Sequence, residues 1–192
     1  MTQVQLDEKA QRILGVAFEL AEEGGFDAVR LRDVADQAGV ALGTLYSRFS
    51  SKEEMLVAAL DESTRTFEAV ISDLSWSDTD PVQRVADLLA LAARALFNRP
   101  NFGRAVLRAA AAGGEATTHR IYSHQATMRR LMLRCLDHAD EAAVDAQTLQ
   151  GLRWLQQLSF ASLLGWANGM LSEDEVIENL QAATERLIGG AS

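Results

Sequence analysis

The chain has 192 residues, a net charge of −9, two prolines and a single cysteine. One cysteine excludes an intrachain disulfide framework. No apolar run approaches the ~18 residues of a membrane span, since the longest candidate, Ala86 to Phe97, is interrupted by Asp87 and Arg94. The acidic balance also argues against a surface that binds polyanions throughout, because phosphate contacts want Lys and Arg.

Abundant Ala and Leu with so little Pro favour an all-α fold, and a chain of this length buries roughly 70% of its unfolded surface. The N-terminus lacks the basic-then-apolar order of a signal peptide, so a reducing, cytoplasmic setting is expected. In chain order, Asp7 to Glu23 reads as a first helix with Ile13, Leu14, Ala17, Phe18 and Ala21 on one stripe. Gly24-Gly25 ends it, and Phe26 is expected to fold back onto the stripe.

The stretch Leu31 to Lys52, LRDVADQAGVALGTLYSRFSSK, reads as two short helices at about 31–38 and 42–48 joined by a tight turn. Ala35 lets two crossing backbones approach, Gly39 supplies a positive φ at the corner, and Leu45 closes the angle. Leu31, Val34 and Ala38 form one inward face, and Val40, Leu45 and Phe49 another. This is the helix-turn-helix pattern, whose second helix enters a DNA major groove. Residues 1–60 carry six Lys/Arg against ten Asp/Glu, yet Val40 through Lys52 contains no carboxylate and holds Arg48 and Lys52, with Arg30 and Arg32 beside the first motif helix. A small basic footprint on an acidic body predicts weak non-specific binding and reliance on geometry and dimerisation.

Ser51-x-x-Glu54 predicts a capping box opening a helix over 52–72, with Met55, Leu56, Leu60, Phe67, Val70, Ile71 and Leu74 along its stripe. Trp76 to Thr79 is expected as a loop. Asp80-Pro81 restarts a helix to about Phe97, and Pro100 opens another that stops at Gly113-Gly114. A helix over 115–138, one from an Asp145 cap to about Met170, and a last one opened by Ser172-x-x-Glu175 complete about nine helices. The organisation predicted is a helix-turn-helix domain at 1–51 and a ligand-binding and dimerisation bundle at 52–192.

Residues 13–60 resemble the DNA-binding domain of the TetR (tetracycline repressor) family. The matching text is Gly24-Gly25-Phe26, then Val29-Arg30-Leu31-Arg32-x-Val34-Ala35-x-x-Ala38-Gly39-Val40, then Gly43-Thr44-Leu45-Tyr46-x-x-Phe49-x-Ser51-Lys52-Glu53. The resemblance implies a transcriptional repressor, not an enzyme, with no cofactor, binding a palindromic double-stranded operator as a homodimer. It implies that Thr44, Tyr46 and Lys52 contact phosphates, Lys52 at a helix N-terminus, and that Gly43 allows close approach to the DNA backbone. Ala41 and Leu42 depart from the commoner pattern. Ala41 lacks a side-chain cap worth about 1 kcal/mol elsewhere, and the pair is suited only to apolar base features such as a thymine methyl. Ser47 and Arg48 then become the polar readers, with Arg32 completing the expected DNA-facing set.

In the C-terminal half, Phe67, Phe97, Phe102, Met128, Met132, Trp154, Phe160 and Trp166 occupy candidate inward positions, as filled core or as the lining of an apolar effector site. Gln125, Gln156 and Gln157 are the polar candidates, since a buried amide needs a partner. The arginines at 108, 129, 130 and 134 read as a solvated face or an anion site. His119, His124 and His138 show no metal spacing with Cys135, so no metal is expected. Ser159, Ala161, Ser162 and Gly165, with the stripe over 176–188, suit a four-helix interface between two copies through the last two helices.

Val40-Ala41-x-Gly43-Thr44-Leu45-Tyr46 and Leu163-Leu164-x-Trp166 are similar to actinobacterial repressors of steroid breakdown, which implies a steroid-derived coenzyme A thioester as effector; a planar aromatic or cationic drug is the other class left open. A helical lipid- or acyl-binding protein without DNA function is the alternative reading. It leaves residues 31–52 unexplained. An enzyme would need a nucleophile–base pair or a metal cluster, and neither is visible.

Overall fold

A computed structural model of the chain describes residues 8–72, 80–138 and 141–189, without the side chains of 65–72 and Ala143. Expectations for Asp7, Leu74, the 76–79 loop and Gly190, and for the side chains of Phe67, Val70 and Ile71, lie outside the described residues. Among the described residues there are nine α-helices and no strand, so the all-α reading holds. The chain groups into two compact units, Met1–Phe67 with Arg99–Tyr122, and Glu68–Asn98 with Ser123–Ser192. Compactness and function need not divide a chain at the same residue, so a functional boundary at 51 stands beside this grouping as a proposal.

In the first unit, α1 (Glu8–Ala28) is kinked at Gly24 and Gly25, the latter with φ of 70°. The double glycine breaks the helix where a side chain would resist that backbone. α2 (Leu31–Gln37) ends in a Schellman closure: Gly39 has φ of 64°, its N–H bonds the Asp36 carbonyl, and the Val40 N–H reaches back to the Ala35 carbonyl at 3.0 Å. α3 (Leu42–Tyr46) follows directly. α4 (Lys52–Ser72) buries Met55, Leu56, Val57, Ala58 and Ala59 in succession. The turn that follows its first is thus enclosed on all sides rather than along one stripe.

The cap of α4 differs from the expected box. The Glu54 N–H does donate to Ser51 Oγ at 3.1 Å, but Glu54 Oε2 accepts from the N–H and Oγ of Ser50, both at 2.8 Å. The reciprocal arm has moved one residue upstream, which leaves Glu54 Oε1 to accept from Arg120 at 3.4 Å. α6 (Pro100–Ala112) packs on α1. Its own N-cap, Arg99, supplies no side-chain bond; instead the Glu22 carboxylate of α1 accepts from the Phe102 N–H at 3.0 Å, satisfying an orphan donor of the first turn.

The second unit holds α5 (Pro81–Phe97), α8 (Ala146–Ala167) and α9 (Glu173–Ile188), with α9 against both of the others. α7 (Glu115–Cys135) begins in the first unit and ends in this one. Asp80, Asp145 and Ser172 cap α5, α8 and α9 as expected, the last with the full reciprocal box to Glu175. α8 stops at Ala167, three residues short of expectation, because Gly169 turns at φ of 72° and the Met170 N–H closes onto the Gly165 carbonyl at 2.8 Å. α7 ends in the same closure with Asp137, at φ of 61°, in the glycine position. Arg84 grips that carboxylate with two bonds of 3.1 and 2.6 Å, which holds the Asp137 carboxyl below its ordinary range.

Gly151 sets the approach of α8 to α9. A Cβ there would lie 2.6 Å from the Leu187 carbonyl oxygen and 2.9 Å from Ile188 Cγ2. Gly151→Ala should therefore destabilise the fold by about 1–3 kcal/mol through overpacking against backbone. Gly43→Ala, whose added Cβ meets no protein atom within 4 Å, should stay within about 0.5 kcal/mol of the parent. Denaturant unfolding of the two variants checks both values.

Candidate nucleic-acid interface and effector bundle

A helix of five residues is held by its burial. Leu45 and Phe49 are fully enclosed, while Tyr46 between them is 53% exposed. The N-cap Ala41 makes no side-chain bond to α3, as its methyl dictates, and Ser47 Oγ donates to the Thr44 carbonyl at 2.8 Å, closing the C-terminal end. Of the nine expected DNA-facing residues, Arg32, Ala41, Gly43, Tyr46 and Ser47 are exposed, and Leu42, Thr44, Arg48 and Lys52 are half-buried. None is enclosed in the core.

Lys52 opens α4, and its ammonium has two local partners. Nζ donates to the Phe26 carbonyl at 3.3 Å and lies 3.8 Å from the centre of the Phe26 ring. The contacts shown by Phe26 are thus with a cation rather than with the stripe of α1. Glu54 was likewise not among the expected site residues, yet its carboxylate ties Ser50 to Arg120, whose guanidinium stands 5.8 Å from the Phe49 ring. The Ser-x-x-Glu spacing contained a signal for Glu54. Nothing in the local sequence pointed from residue 54 to residue 120.

In the second unit, Phe97 and Trp166 are buried ring against ring at 4.9 Å, and Met128 and Met132 are buried with them in the core. Gln125 is half-buried, and its carbonyl accepts from Gln156 Nε2 at 2.6 Å. Phe102 is inward but in the other unit, and three inward placements, Trp154, Gln157 and Phe160, need correction. Phe102 is buried in the first unit, its ring 4.4 Å from that of Phe18, because α6 turns its apolar face to α1. Trp154 is 50% exposed, and Gln157 and Phe160 are exposed too. The buried positions of α8 are Thr148, Gly151, Leu152, Leu155, Ser162, Gly165 and Trp166. Trp154, Gln157 and Ala161, at helical spacing, form a second stripe on its outer side.

The arginines are dispersed rather than gathered: Arg108 pairs with Asp27, Arg129 with Glu141, and Arg130 with the Thr127 hydroxyl. Burial pushes the Cys135 thiol up to about 11, so it stays protonated at neutral pH. Among the described residues no group of His, Cys, Asp and Glu is placed to hold a metal ion, and no helix is long and apolar enough to cross a membrane.

Residues 13–59 match the family described as bacterial regulatory proteins, tetR family, and residues 79–187 match the tetracyclin repressor-like C-terminal domain. The chain is 31% identical to the HTH-type transcriptional repressor KstR of Rhodococcus jostii, over 96% of this chain and 85% of that protein. Its fold is similar to that of a TetR transcriptional regulator from Rhodococcus sp. RHA1, with a TM-score of 0.86 at 27% identity, covering 96% and 97% of the two chains. Thermus thermophilus FadR, solved with lauroyl-CoA, shares the fold with a TM-score of 0.73 at 20% identity, covering 95% of each chain.

Replacing Arg120 by Ala leaves the Glu54 carboxylate largely enclosed without its cation. The expected loss of stability is about 1–3 kcal/mol, and Glu54→Gln in the same background should recover part of it. Thermal melts of the single and double variants measure the coupling.

Proposed function

The chain belongs to the TetR family of bacterial regulatory proteins, and we propose that it is a ligand-responsive repressor that grips a palindromic operator as a homodimer and releases it on binding an apolar small molecule. Its class is that of transcriptional repressors, not enzymes. The observation that carries the finer reading is the α3 edge. Tyr46 and Ser47 stand outward, with Thr44 half-buried beside them, over the buried anchors Leu45 and Phe49, in a stretch from Val40 to Lys52 without a carboxylate. Arg32, Arg48 and Lys52 supply the positive charge. Thr44, Tyr46 and Lys52 position the protein on phosphates, while Ser47 and Arg48 read bases, with Ala41 and Leu42 limited to apolar features and Gly43 permitting close approach.

Ser162, Gly165 and the stripe of Val176, Leu180, Ala183 and Ile188 are buried within the protomer, where α9 packs on α5 and α8, and so are not the face for a second copy. The outer stripe of α8 supports the dimer instead. Trp154 and Leu158 are exposed apolar side chains on it, flanked by Gln157 and Ala161, and a second copy is the partner whose symmetry presents two recognition helices to successive grooves. Trp154 and Gln157, being exposed, thus serve the dimer face rather than the effector, for which Phe97, Gln125, Met128, Met132 and Trp166 are the proposed lining. The effector proposed is a steroid-derived coenzyme A thioester, and a relative of this fold solved with lauroyl-CoA supports a thioester of that general kind. α4 runs without a break from Lys52 to Ser72, so a shift of its later turns is carried covalently to the motif. A coupling of ~1–3 kcal/mol suffices for a useful switch.

Lys52→Ala should weaken binding to any duplex and lower the slope of log affinity against log salt by about 1 per bound subunit, measured by anisotropy on DNA from the chain's own upstream region. An unchanged slope removes Lys52 from the phosphate contacts. Trp154→Glu should yield monomers in sedimentation and lose operator binding; a variant that still sediments as a dimer rules out this face.

A further inference from the structure

The ring of Phe26 holds two cations. Lys52 Nζ lies 3.8 Å from its centre, and the guanidinium carbon of Arg108, from α6, lies 4.2 Å from the same point. Two like charges therefore stand within about 8 Å of each other on one side chain. A solvated arginine has the rotamer freedom to turn away from a neighbouring ammonium. This one does not, and the face of an aromatic ring orients it. Among the described residues Asp27 accepts one bond of 3.2 Å from Arg108, with both side chains mostly exposed. An exposed, single-bonded pair of this kind is weak and screened by salt, so the guanidinium can exchange that carboxylate for a stronger anion.

We propose that Arg108 is a DNA-phosphate contact, so that the interface extends beyond the helix-turn-helix onto α6, with Phe26 as the positioning residue that fixes Lys52 and Arg108 as a pair. The inference rests on the repressor reading, in which Lys52 already faces a phosphate. A strand of B-DNA carries one charge per ~3.4 Å of helix axis, so two cations this close serve one phosphate or two neighbouring ones. Arg108 brings a planar fork to the site and Lys52 a point charge. Bound DNA also relieves the repulsion between the two cations.

The test uses the full-length protein with its upstream duplex and an unrelated duplex of equal length, read by anisotropy across a salt series. Arg108→Gln should lose roughly tenfold in affinity for both duplexes and lower the salt slope by about 1 per bound subunit, and Arg108→Lys should restore most of the slope. Asp27→Asn, which frees the guanidinium, should tighten binding about twofold. The proposal is overturned if Arg108→Gln keeps the parental slope, or if Asp27→Asn weakens binding as much as Arg108→Gln, which is the mark of a merely structural pair. Lys52→Ala, measured alongside, separates the two levels. A slope that falls for Lys52→Ala alone removes only Arg108 from the interface, while a parent protein without affinity for either duplex removes the repressor reading as well.

Discussion

A five-residue helix has no stability of its own, because nucleating the first turn costs more than so few hydrogen bonds return. α3 persists because Leu45 and Phe49 are sunk into the core of the first unit, and because the residues just after it are tied down. Glu54 is the knot: one oxygen takes both the N–H and the hydroxyl of Ser50, and the other takes Arg120. The exposed residues of α3 are consequently relieved of packing duties. Tyr46 can face outward only because its neighbours at 45 and 49 face in.

Left-handed residues determine where the helices stop. Gly39 ends α2, Asp137 ends α7 and Gly169 ends α8, each with the following N–H reaching back to the last turn. Glycine accepts that backbone at little cost. Asp137 needs help, and Arg84 supplies it from α5 with two bonds. A helix end is thereby turned into a tertiary contact between α5 and the close of α7. Gly151 plays a different part, since its backbone is ordinary and its missing side chain is what admits the backbone of α9.

The charge distribution follows the same local logic. The acidic excess of the whole chain does not reach the α3 edge, and several of the arginines are placed by specific partners: Arg84 by Asp137, Arg120 by Glu54, Arg129 by Glu141. Lys52 and Arg108 share one aromatic ring, which brings the two cations together while Arg108 also pairs with Asp27. A net charge of −9 therefore says little about any one face.

The sequence by itself determined the helices, their caps and the corner of the motif, because these depend on residues within a few positions of one another: the Asp80, Asp145 and Ser172 caps, the glycine at 39, the apolar spacing of α4. It also determined that Leu45 and Phe49 point in and Tyr46 out, since a helical period needs only local text. Only the tertiary structure decided which helix meets which. Phe102 belongs to the α1 core because α6 docks there, Trp154 and Gln157 face outward because Gly151 and Leu155 claim the inner side of α8, and Glu54 answers to Ser50 with one oxygen and to Arg120 with the other. Contacts between residues some 60 to 80 positions apart leave no periodic mark, so nothing in the text around Arg108 or Arg120 points to Phe26 or Glu54 until the fold brings them together.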